Sequence, residues 1–235
     1  MSSEAKMEST VKLSKRLKEI EALVSADYGH IWDCCCDHGF LGRALLERQA
    51  AKTIHFVDIV PKLISDIEAR LQASSVDSDS AWQVHCIDVA DLPLEQVEGK
   101  NLVIIAGVGG DLISHFVEGL HRQHPDLDID FILCPVHHQF KVREKLIQLD
   151  FSLKKEILVK ENKRFYEVIF VSSQADPKQK ISPVGESIWQ PKDKKQADVT
   201  KEYLDKTLKH YSRMQQGNGR DVSRILEAYQ KLELK

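Results

Sequence analysis

Short apolar runs that alternate with helical patterns are the feature that most constrains this fold. Strands are predicted at 30–34, 53–58, 81–87, 101–106 and 129–134. Helices are predicted from the spacing of apolar residues at 38–49, in the segment that Pro61 opens, in the segment that includes Leu112, and at 140–149. The run at 101–106 is purely apolar and stops at Gly107, which is typical of a central parallel strand. Five such repeats predict an α/β fold, a doubly wound, mostly parallel seven-stranded sheet of Rossmann-like type with helices on both faces.

The alternation of strands and helices ends after residue 150. Two β-rich runs, Phe151 to Val159 and Phe165 to Ser172, are joined by five residues, which is hairpin spacing. Parallel units closed by an antiparallel hairpin are the element order of class I methyltransferases, whereas a dinucleotide dehydrogenase would continue with a parallel sixth strand.

Helical patterns flank this unit. An amphipathic helix with a basic face is predicted at 11–24, and two apolar helical stripes, 199–214 and 222–232, are separated by Gly217-Asn218-Gly219. We therefore expect a catalytic domain at 1–175, followed at 176–235 by a proline-containing linker and a small C-terminal two-helix module.

Composition narrows the classes of protein. No apolar run is long enough to span a membrane, and the first twenty residues lack the apolar centre of a signal peptide. The five cysteines have no metal-site spacing and are expected to be reduced thiols of a cytoplasmic protein. The net charge is −3, but basic residues exceed acidic ones between 178 and 213, which fits either a solvated surface or a polyanion-binding one.

Polar residues follow the predicted strands at what must be one edge of the sheet. They are Asp33 to His38, Asp58, Asp88 and the segment Ala106 to Gly110. The carboxyl ends of such strands form the ligand crevice of doubly wound sheets. Asp58 is expected to accept hydrogen bonds from a ribose diol, and Asp88 from an adenine amino group. Each carboxylate could instead be a helix N-cap.

The glycines narrow the choice of ligand. Gly107-Val108-Gly109-Gly110 follows the fourth strand rather than the first, and the first loop has no glycine before Gly39. A phosphate-cradling loop is therefore absent where NAD or ATP would need it. We expect Gly109 and Gly110 to let the backbone approach a substrate base.

Two clusters contain potential metal ligands. Cys34, Cys35 and Cys36 are adjacent in an extended segment, so their side chains alternate in direction and cannot share one ion. His137 and His138 could be ligands, a general base or helix-start residues, and no acidic third ligand lies nearby in the sequence. No metal site is predicted.

These residues together resemble the bacterial tRNA (adenine-22, N1)-methyltransferase family over nearly the whole chain. The resemblance is carried by Leu13 to Leu17, Asp33, Asp37-His38, Ile105 to Gly110, Pro135, His138, Arg143-Glu144, Tyr166 to Val168 and the C-terminal helices. Two positions depart from the family pattern. Cys35 replaces a usual glycine, and Val136 replaces a usual asparagine that could hydrogen-bond the target base.

The resemblance implies an S-adenosylmethionine-dependent enzyme that methylates N1 of adenine in tRNA. The implied cofactor-binding residues are Arg16, Asp33, Asp37, His38, Asp58, Ile59, Asp88, Val89, Ala106, Gly107 and Val108. The substrate-base candidates are Gly109, Gly110, Pro135, His138 and Tyr166. No residue is assigned as the catalytic acid or base, because adenine N1 is unprotonated at neutral pH.

Two other functions stay open. The first is a methyltransferase-fold protein with weak or no catalysis that binds nucleic acid or a protein partner, as the departures at Cys35 and Val136 suggest. The second is an NAD-dependent oxidoreductase, which the missing glycines of the first loop disfavour. A monomer is expected, because the apolar stripes of the two C-terminal helices could cover each other.

Overall fold

The computed structural model describes residues 11–73, 80–217, 221–232 and 234. Its strands are β1 (Tyr28–Cys34), β2 (Ala51–Asp58), β3 (Ala81–Cys86), β4 (Asn101–Ala106), β5 (Ile129–Cys134), β6 (Ser152–Glu161) and β7 (Arg164–Ser172). Its α-helices are α1 (Lys15–Leu23), α2 (Phe40–Glu47), α3 (Pro61–Ala73), α4 (Gly110–Gln123), α5 (Gln139–Gln148), α6 (Lys194–Gln216) and α7 (Ser223–Gln230).

The strands form one seven-stranded sheet in the order β3-β2-β1-β4-β5-β7-β6. The first five strands pair in parallel, and β7 runs antiparallel to both β5 and β6. The order reverses between β1 and β4, which is where a doubly wound sheet opens a ligand crevice. The predicted fold class and the closing antiparallel hairpin are therefore confirmed.

The expected alternation of strand and α-helix is wrong at one place. Between β3 and β4 the chain forms only two 3₁₀ turns, Val89–Asp91 and Leu94–Gln96. The side chains of Leu92 and Leu94 are buried in the core there, so they take over the packing that a helix would provide. The predicted polar loop at 74–80 lies outside the described residues except for Ser80, as do Asn218 and Gly219.

The core lies on both faces of the sheet. One apolar cluster joins the strands to α4 and α5 through Phe116, Leu120 and Leu146, and the other joins them to α1, α2 and α3 through Ile20, Leu45 and Ile67. Alternate residues of a strand point to opposite faces, so the central strands are apolar on both. This packing holds the carboxyl ends of β1 to β5 in fixed positions.

A third apolar cluster attaches the C-terminal helices to the β6–β7 hairpin. It includes Leu158 of β6, Trp189 of the segment between β7 and α6, Tyr203 of α6 and Tyr229 of α7. The division into domains at residue 175 stays a prediction, since this cluster draws residues from both sides of it.

A buried charge cluster lies beside that apolar cluster. The guanidinium of Arg143 in α5 is fully buried and pairs with Glu156 of β6 and Glu167 of β7, both at 2.7 Å. Glu156 also accepts the main-chain N–H groups of Glu186 and Ser187, each at 2.6 Å. The hydroxyl of Tyr203 donates to Glu167 at 2.6 Å. The hairpin, the following segment and α6 are therefore joined through one set of charged groups.

A row of three histidines crosses the other end of the sheet. The ring nitrogens of His30, His55 and His85 on β1, β2 and β3 lie 2.9 Å apart at each step, and Trp32 stacks on His55 at 3.7 Å. Burial lowers the pKa of all three rings, and that of His55 falls to about 3. The row is therefore neutral at pH 7.

Candidate functional site

A cleft of about 660 Å³ opens at the carboxyl ends of β1, β2, β3 and β4. We call it the strand-end cleft. All the residues that the resemblance assigns to the cofactor line it: Arg16, Asp33, Asp37, His38, Asp58, Ile59, Asp88, Val89, Ala106, Gly107 and Val108. The structure therefore brings this whole set together, and its role in binding stays a prediction.

The loop from β1 to α2 forms one wall of the strand-end cleft through an unusual backbone. Cys35, Asp37 and Gly39 have positive φ angles of 54°, 49° and 69°. This region is costly for residues with a side chain, so the turn needs support from its neighbours. The N–H of Asp37 donates to the Asp58 carboxylate at 3.3 Å, and that of Cys36 donates to the Val57 carbonyl at 3.2 Å. β2 thereby shapes the first loop.

Asp33 connects β1 to α2 from a buried position. Its carboxylate accepts the Gly42 N–H at 2.8 Å, and a Cβ at Gly42 would lie 2.4 Å from the Phe56 ring. Burial raises the pKa of Asp33 to about 7, although the Gly42 hydrogen bond acts in the opposite direction. The carboxyl group is therefore partly protonated at neutral pH. Its hydrogen bond with the Gly42 N–H positions the start of α2 relative to β1.

Asp58 and Asp88 both use main-chain N–H groups as partners. Asp58 accepts the N–H groups of Val60 at 3.0 Å and Asp37 at 3.3 Å. Asp88 is the N-cap of the first 3₁₀ turn and accepts the Ala90 N–H at 2.8 Å. The capping alternative is thus observed for Asp88. Each carboxylate oxygen can accept more than one hydrogen bond, so both groups can still receive hydrogen bonds from a ligand.

The charge of the strand-end cleft is predominantly negative. Its lining includes the aspartates Asp37, Asp58 and Asp88 and the partly protonated Asp33, but Arg16 is the only arginine or lysine among the described residues that line it. The walls between them are apolar and include Ile59, Val89 and Phe116. This arrangement suits a flat heterocycle with hydroxyl groups and a positive centre, and it opposes a pyrophosphate.

Arg16 closes the strand-end cleft from the N-terminal helix. Its guanidinium carbon lies 4.9 Å from the centroid of the Tyr166 ring, a cation–π contact that fixes the side chain. Gly107, with a φ of 91°, faces it, and a Cβ there would lie 3.9 Å from the guanidinium nitrogens. Arg16 and Tyr166 therefore form a wall between β4 and the hairpin.

The glycines after β4 have a structural reason in addition to the one expected from the sequence. A Cβ on Gly109 would lie 2.5 Å from the His137 ring, and one on Gly110 would lie 2.7 Å from the His138 carbonyl oxygen. The β4–α4 loop thus packs directly against the β5–α5 loop. The backbone contact leaves no room for a side chain at Gly110, whereas a side chain at Gly109 would displace the exposed His137 ring. Their contact with a substrate base stays a prediction.

Two of the other substrate-base candidates line a second cavity. It has a volume of about 560 Å³ and lies between the β5–α5 loop, the turn end of the β6–β7 hairpin and helices α6 and α7. We call it the aromatic cleft, after the five rings of Phe165, Tyr166, Tyr203, Tyr211 and Tyr229. His138, Tyr166 and also Val136 line it, whereas Pro135 is buried.

The expectation that no acidic group lies near the two histidines is wrong in three dimensions. Possible ligand atoms of Asp111, His137 and His138 lie within 4.8 Å of one another. Asp111 comes from the first turn of α4, which the loop contact places against the β5–α5 loop. Its carboxylate accepts hydrogen bonds from Lys141 and His138, which lower its pKa to about 2. His138 is also the N-cap of α5, as the helix-start alternative predicts.

The strand-end cleft includes residues that sequence reasoning missed. They are Leu17, Cys36, Phe40, Leu41, Val60, Leu63, Ile87, Leu112 and Phe116. Most are apolar neighbours of the predicted residues, and an apolar residue next to a strand end is hard to distinguish from a core residue in sequence. Cys35 lines the cleft too, at the position where the family resemblance implies a glycine, and burial raises the pKa of its thiol to about 12.

The strand order and the cleft at the carboxyl ends of β1 to β4 define a class I methyltransferase fold. A sequence model of the family described as a methyltransferase domain matches residues 13–169, so this chain belongs to that family. No curated protein sequence matches it.

Solved structures share the fold over nearly the whole chain. TrmK of M. capricolum, bound to S-adenosyl-homocysteine, is 17% identical with a TM-score of 0.70, and the alignment covers 93% of this chain and 94% of that one. The B. subtilis M1A22 tRNA methyltransferase TrmK is 20% identical with a TM-score of 0.69 and coverages of 94% and 98%. Streptococcus pneumoniae Sp1610, bound to S-adenosyl-L-methionine, is 19% identical with a TM-score of 0.69 and coverages of 94% and 99%.

No α-helix in the described ranges combines the length and the apolar character that a membrane span requires.

Proposed function

We propose that this protein transfers a methyl group from S-adenosylmethionine to N1 of an adenine in tRNA. The observation that carries the proposal is the strand-end cleft, in which Asp58 ends β2 beside a negative, partly apolar cavity. Membership of the methyltransferase domain family and the structural similarity to tRNA (m1A22) methyltransferases support the same reaction.

The residues of the cleft fit this cofactor. Asp58 has lone pairs for two ribose hydroxyls, Asp88 can accept from the adenine amino group, and Ile59 and Val89 supply apolar walls. S-adenosylmethionine supplies a methyl group on a cationic sulfur. When the lone pair of adenine N1 takes this methyl group, the sulfur leaves as a neutral thioether and the positive charge moves to the base. The chain's task is therefore to hold both partners in line, which can contribute about 7–11 kcal/mol.

The substrate base must leave its helix before it can react. N1 lies on the Watson–Crick edge of adenine, so the base has to be unpaired or swung out. The wall formed by Arg16 and Tyr166 separates the two cavities, and we place the base on its strand-end side, against Gly109, Gly110 and Pro135. The negative charge of the strand-end cleft favours the cation that methylation creates on the base.

The first test is a thermal-shift titration with S-adenosylmethionine, S-adenosylhomocysteine and NAD. A ligand at a hundredfold excess over its dissociation constant adds about 2.7 kcal/mol to the free energy of unfolding. We expect both sulfur nucleosides to stabilise the protein and NAD to have no effect. A shift with NAD alone would refute the cofactor assignment.

The second test follows the methyl group. Unmodified tRNA transcripts are incubated with the protein and S-adenosylmethionine labelled in the methyl group, and modified positions are mapped by reverse transcription, because N1-methyladenine blocks base pairing. We expect one stop at an adenine that is unpaired or swung out. Cofactor binding without any transfer would favour the alternative of an inactive methyltransferase-fold protein, which Cys35 and Val136 motivate.

The cellular setting is part of the proposal. All five cysteines are free thiols, which agrees with a cytoplasmic location. The expected monomer is tested by light scattering on the purified protein.

A further inference from the structure

The aromatic cleft is distinct from the strand-end cleft in both chemistry and position. Five aromatic rings line it, three of them on α6 and α7 and two on β7. Tyr203 and Tyr229 form the buried floor, whereas Phe165, Tyr166 and Tyr211 are half-buried and remain partly open to solvent. Aromatic faces of this kind can hold nucleic-acid bases of any type by stacking.

The cationic groups around these rings give the aromatic cleft a positive character. Its lining includes the cations Arg164 and Lys206, and it includes no aspartate or glutamate among the described residues. Lys206 lies 4.8 Å from the centroid of the Phe165 ring. Glu202 pairs with Lys206 at 3.0 Å, which offsets part of this charge, but Arg164 is exposed at the rim. A basic groove with interleaved aromatic rings is typical of sites for single-stranded nucleic acid.

The rings are held in place by the structure beneath them. Tyr211 stacks on Tyr229 with an interplanar angle of 17°, and Phe165 stacks on Tyr203 with an angle of 29°. The Tyr203 hydroxyl is tied to Glu167, which in turn pairs with the buried Arg143. A preformed surface loses little conformational entropy when a ligand binds.

The two clefts share a wall. Tyr166 lines the aromatic cleft, and its ring contacts the guanidinium of Arg16, which lines the strand-end cleft. The main chain joins them as well, because the Val136 N–H donates to the Val108 carbonyl at 3.0 Å. An RNA strand with one base at this wall therefore has its next nucleotide within reach of the aromatic cleft.

We propose that the aromatic cleft binds an unpaired nucleotide next to the methylated adenine, with its base stacked on the tyrosine rings and its phosphate held by Arg164 and Lys206. This inference rests on the proposed function for the position of the adenine. The site selects an RNA strand whose bases are already unpaired beside the target adenine. It therefore favours a loop over a duplex.

The test measures RNA binding and methyl transfer on the same proteins. A fluorescein-labelled single-stranded RNA octamer of mixed sequence and its duplex are titrated by anisotropy against the parent protein and against Tyr211→Leu. Leucine keeps apolar bulk but removes the stacking face. We expect the single strand to bind more tightly than the duplex, and Tyr211→Leu to weaken it by about 5- to 100-fold.

Charge variants provide the matched comparison. Arg164→Gln combined with Lys206→Gln should weaken octamer binding and reduce the slope of log affinity against log salt by about 0.7 for each lost phosphate contact. Lys201→Gln removes an exposed charge from the same helix but outside the cleft, and it should leave binding unchanged. In methylation of tRNA, the two cleft variants should raise KM, while Lys201→Gln should not.

The result that overturns the inference is equal binding of octamer by the parent and the cleft variants, or equal binding of strand and duplex by the parent. The proposed function fails separately. If the parent shows no stabilisation by S-adenosylmethionine and no transfer to tRNA, but the cleft variants still lose the octamer, the cleft assignment survives and the reaction assignment does not.

Discussion

The carboxylates of the strand-end cleft and those under the C-terminal helices are satisfied in different ways. Asp58 and Asp88 accept main-chain N–H groups and face a cavity that a ligand can enter. Glu156 and Glu167 are fully buried and paired with one arginine, Arg143. The first arrangement leaves acceptor capacity for a partner from solution, whereas the second uses it inside the protein.

The pKa values show the same contrast. Burial raises the pKa of Asp33 to about 7, because no cationic group is close enough to compensate within its described surroundings. Burial would also raise the pKa of Glu156, but Arg143 and the N–H groups of Glu186 and Ser187 outweigh it and lower that pKa. Burial of a carboxylate alone therefore does not distinguish a ligand site from a structural cluster. The two are distinguished by the groups that the carboxylate pairs with inside the protein.

The largest expected effect comes from breaking the structural cluster. Arg143→Met would leave two carboxylates buried without a cation, which should cost about 3–5 kcal/mol of the free energy of unfolding. Denaturant unfolding measures it, with Arg122→Met on the exposed side of α4 as the control. A loss of stability below 1 kcal/mol would mean that the cluster does not anchor the hairpin. If Arg143→Met still folds, we expect it to keep its affinity for the cofactor.

The second effect depends on pH and comes from Asp33. Its pKa is raised from 3.8 to about 7, so its contribution to stability is complete below pH 3.8 and is lost as the pH rises through 7. Asp33→Asn does not ionise, so between pH 4 and pH 8 the parent should lose up to about 4 kcal/mol relative to the variant.

The difference in stability between the parent and Asp33→Asn isolates the titration of Asp33, because the histidine row titrates in both proteins. Thermal unfolding across that pH range gives the curve. A flat difference would show that Asp33 is ionised throughout, with an ordinary pKa.

The third effect tests the ligand side of the comparison. Asp58→Asn keeps the shape but loses the charge, so we expect affinity for S-adenosylmethionine to fall by about 10- to 100-fold, as for hydrogen bonds to a charged acceptor. Stability should change by less than about 1 kcal/mol. Isothermal titration measures the affinity, and Asp66→Asn on the exposed face of α3 is the matched control. Unchanged affinity would remove Asp58 from the site.

The smallest effect concerns Cys35. Its φ of 54° is a conformation that glycine adopts without strain, so Cys35→Gly should raise the free energy of unfolding by about 0.5–1 kcal/mol and enlarge the strand-end cleft. Cys35→Ala removes the thiol but keeps the strain, so it should tighten cofactor binding without the gain in stability. If neither variant binds the cofactor more tightly, the thiol does not obstruct the cleft.

Much of the fold could be predicted because its strands are apolar on both faces. The predicted limits of β4 and β5 agree with the observed Asn101–Ala106 and Ile129–Cys134. The missing helix between β3 and β4 was not predictable from spacing, because the apolar side chains of Leu92 and Leu94 fill the same space from short turns. In the hairpin, Asn162 and Lys163 make a tighter turn, with positive φ angles, than the expected five-residue loop.

The sequence by itself determined the doubly wound sheet and the meeting of Asp33, Asp58 and Asp88 at one edge, because parallel strands must end on the same side. Only the tertiary structure decided that Gly109 and Gly110 accommodate a neighbouring loop and that Asp111 meets two histidines. It also decided that Arg143, Glu167 and Tyr203 form one cluster beside the aromatic cleft. These contacts join residues far apart in the chain, and no local pattern of polarity or propensity reports which distant side chains a fold will bring together.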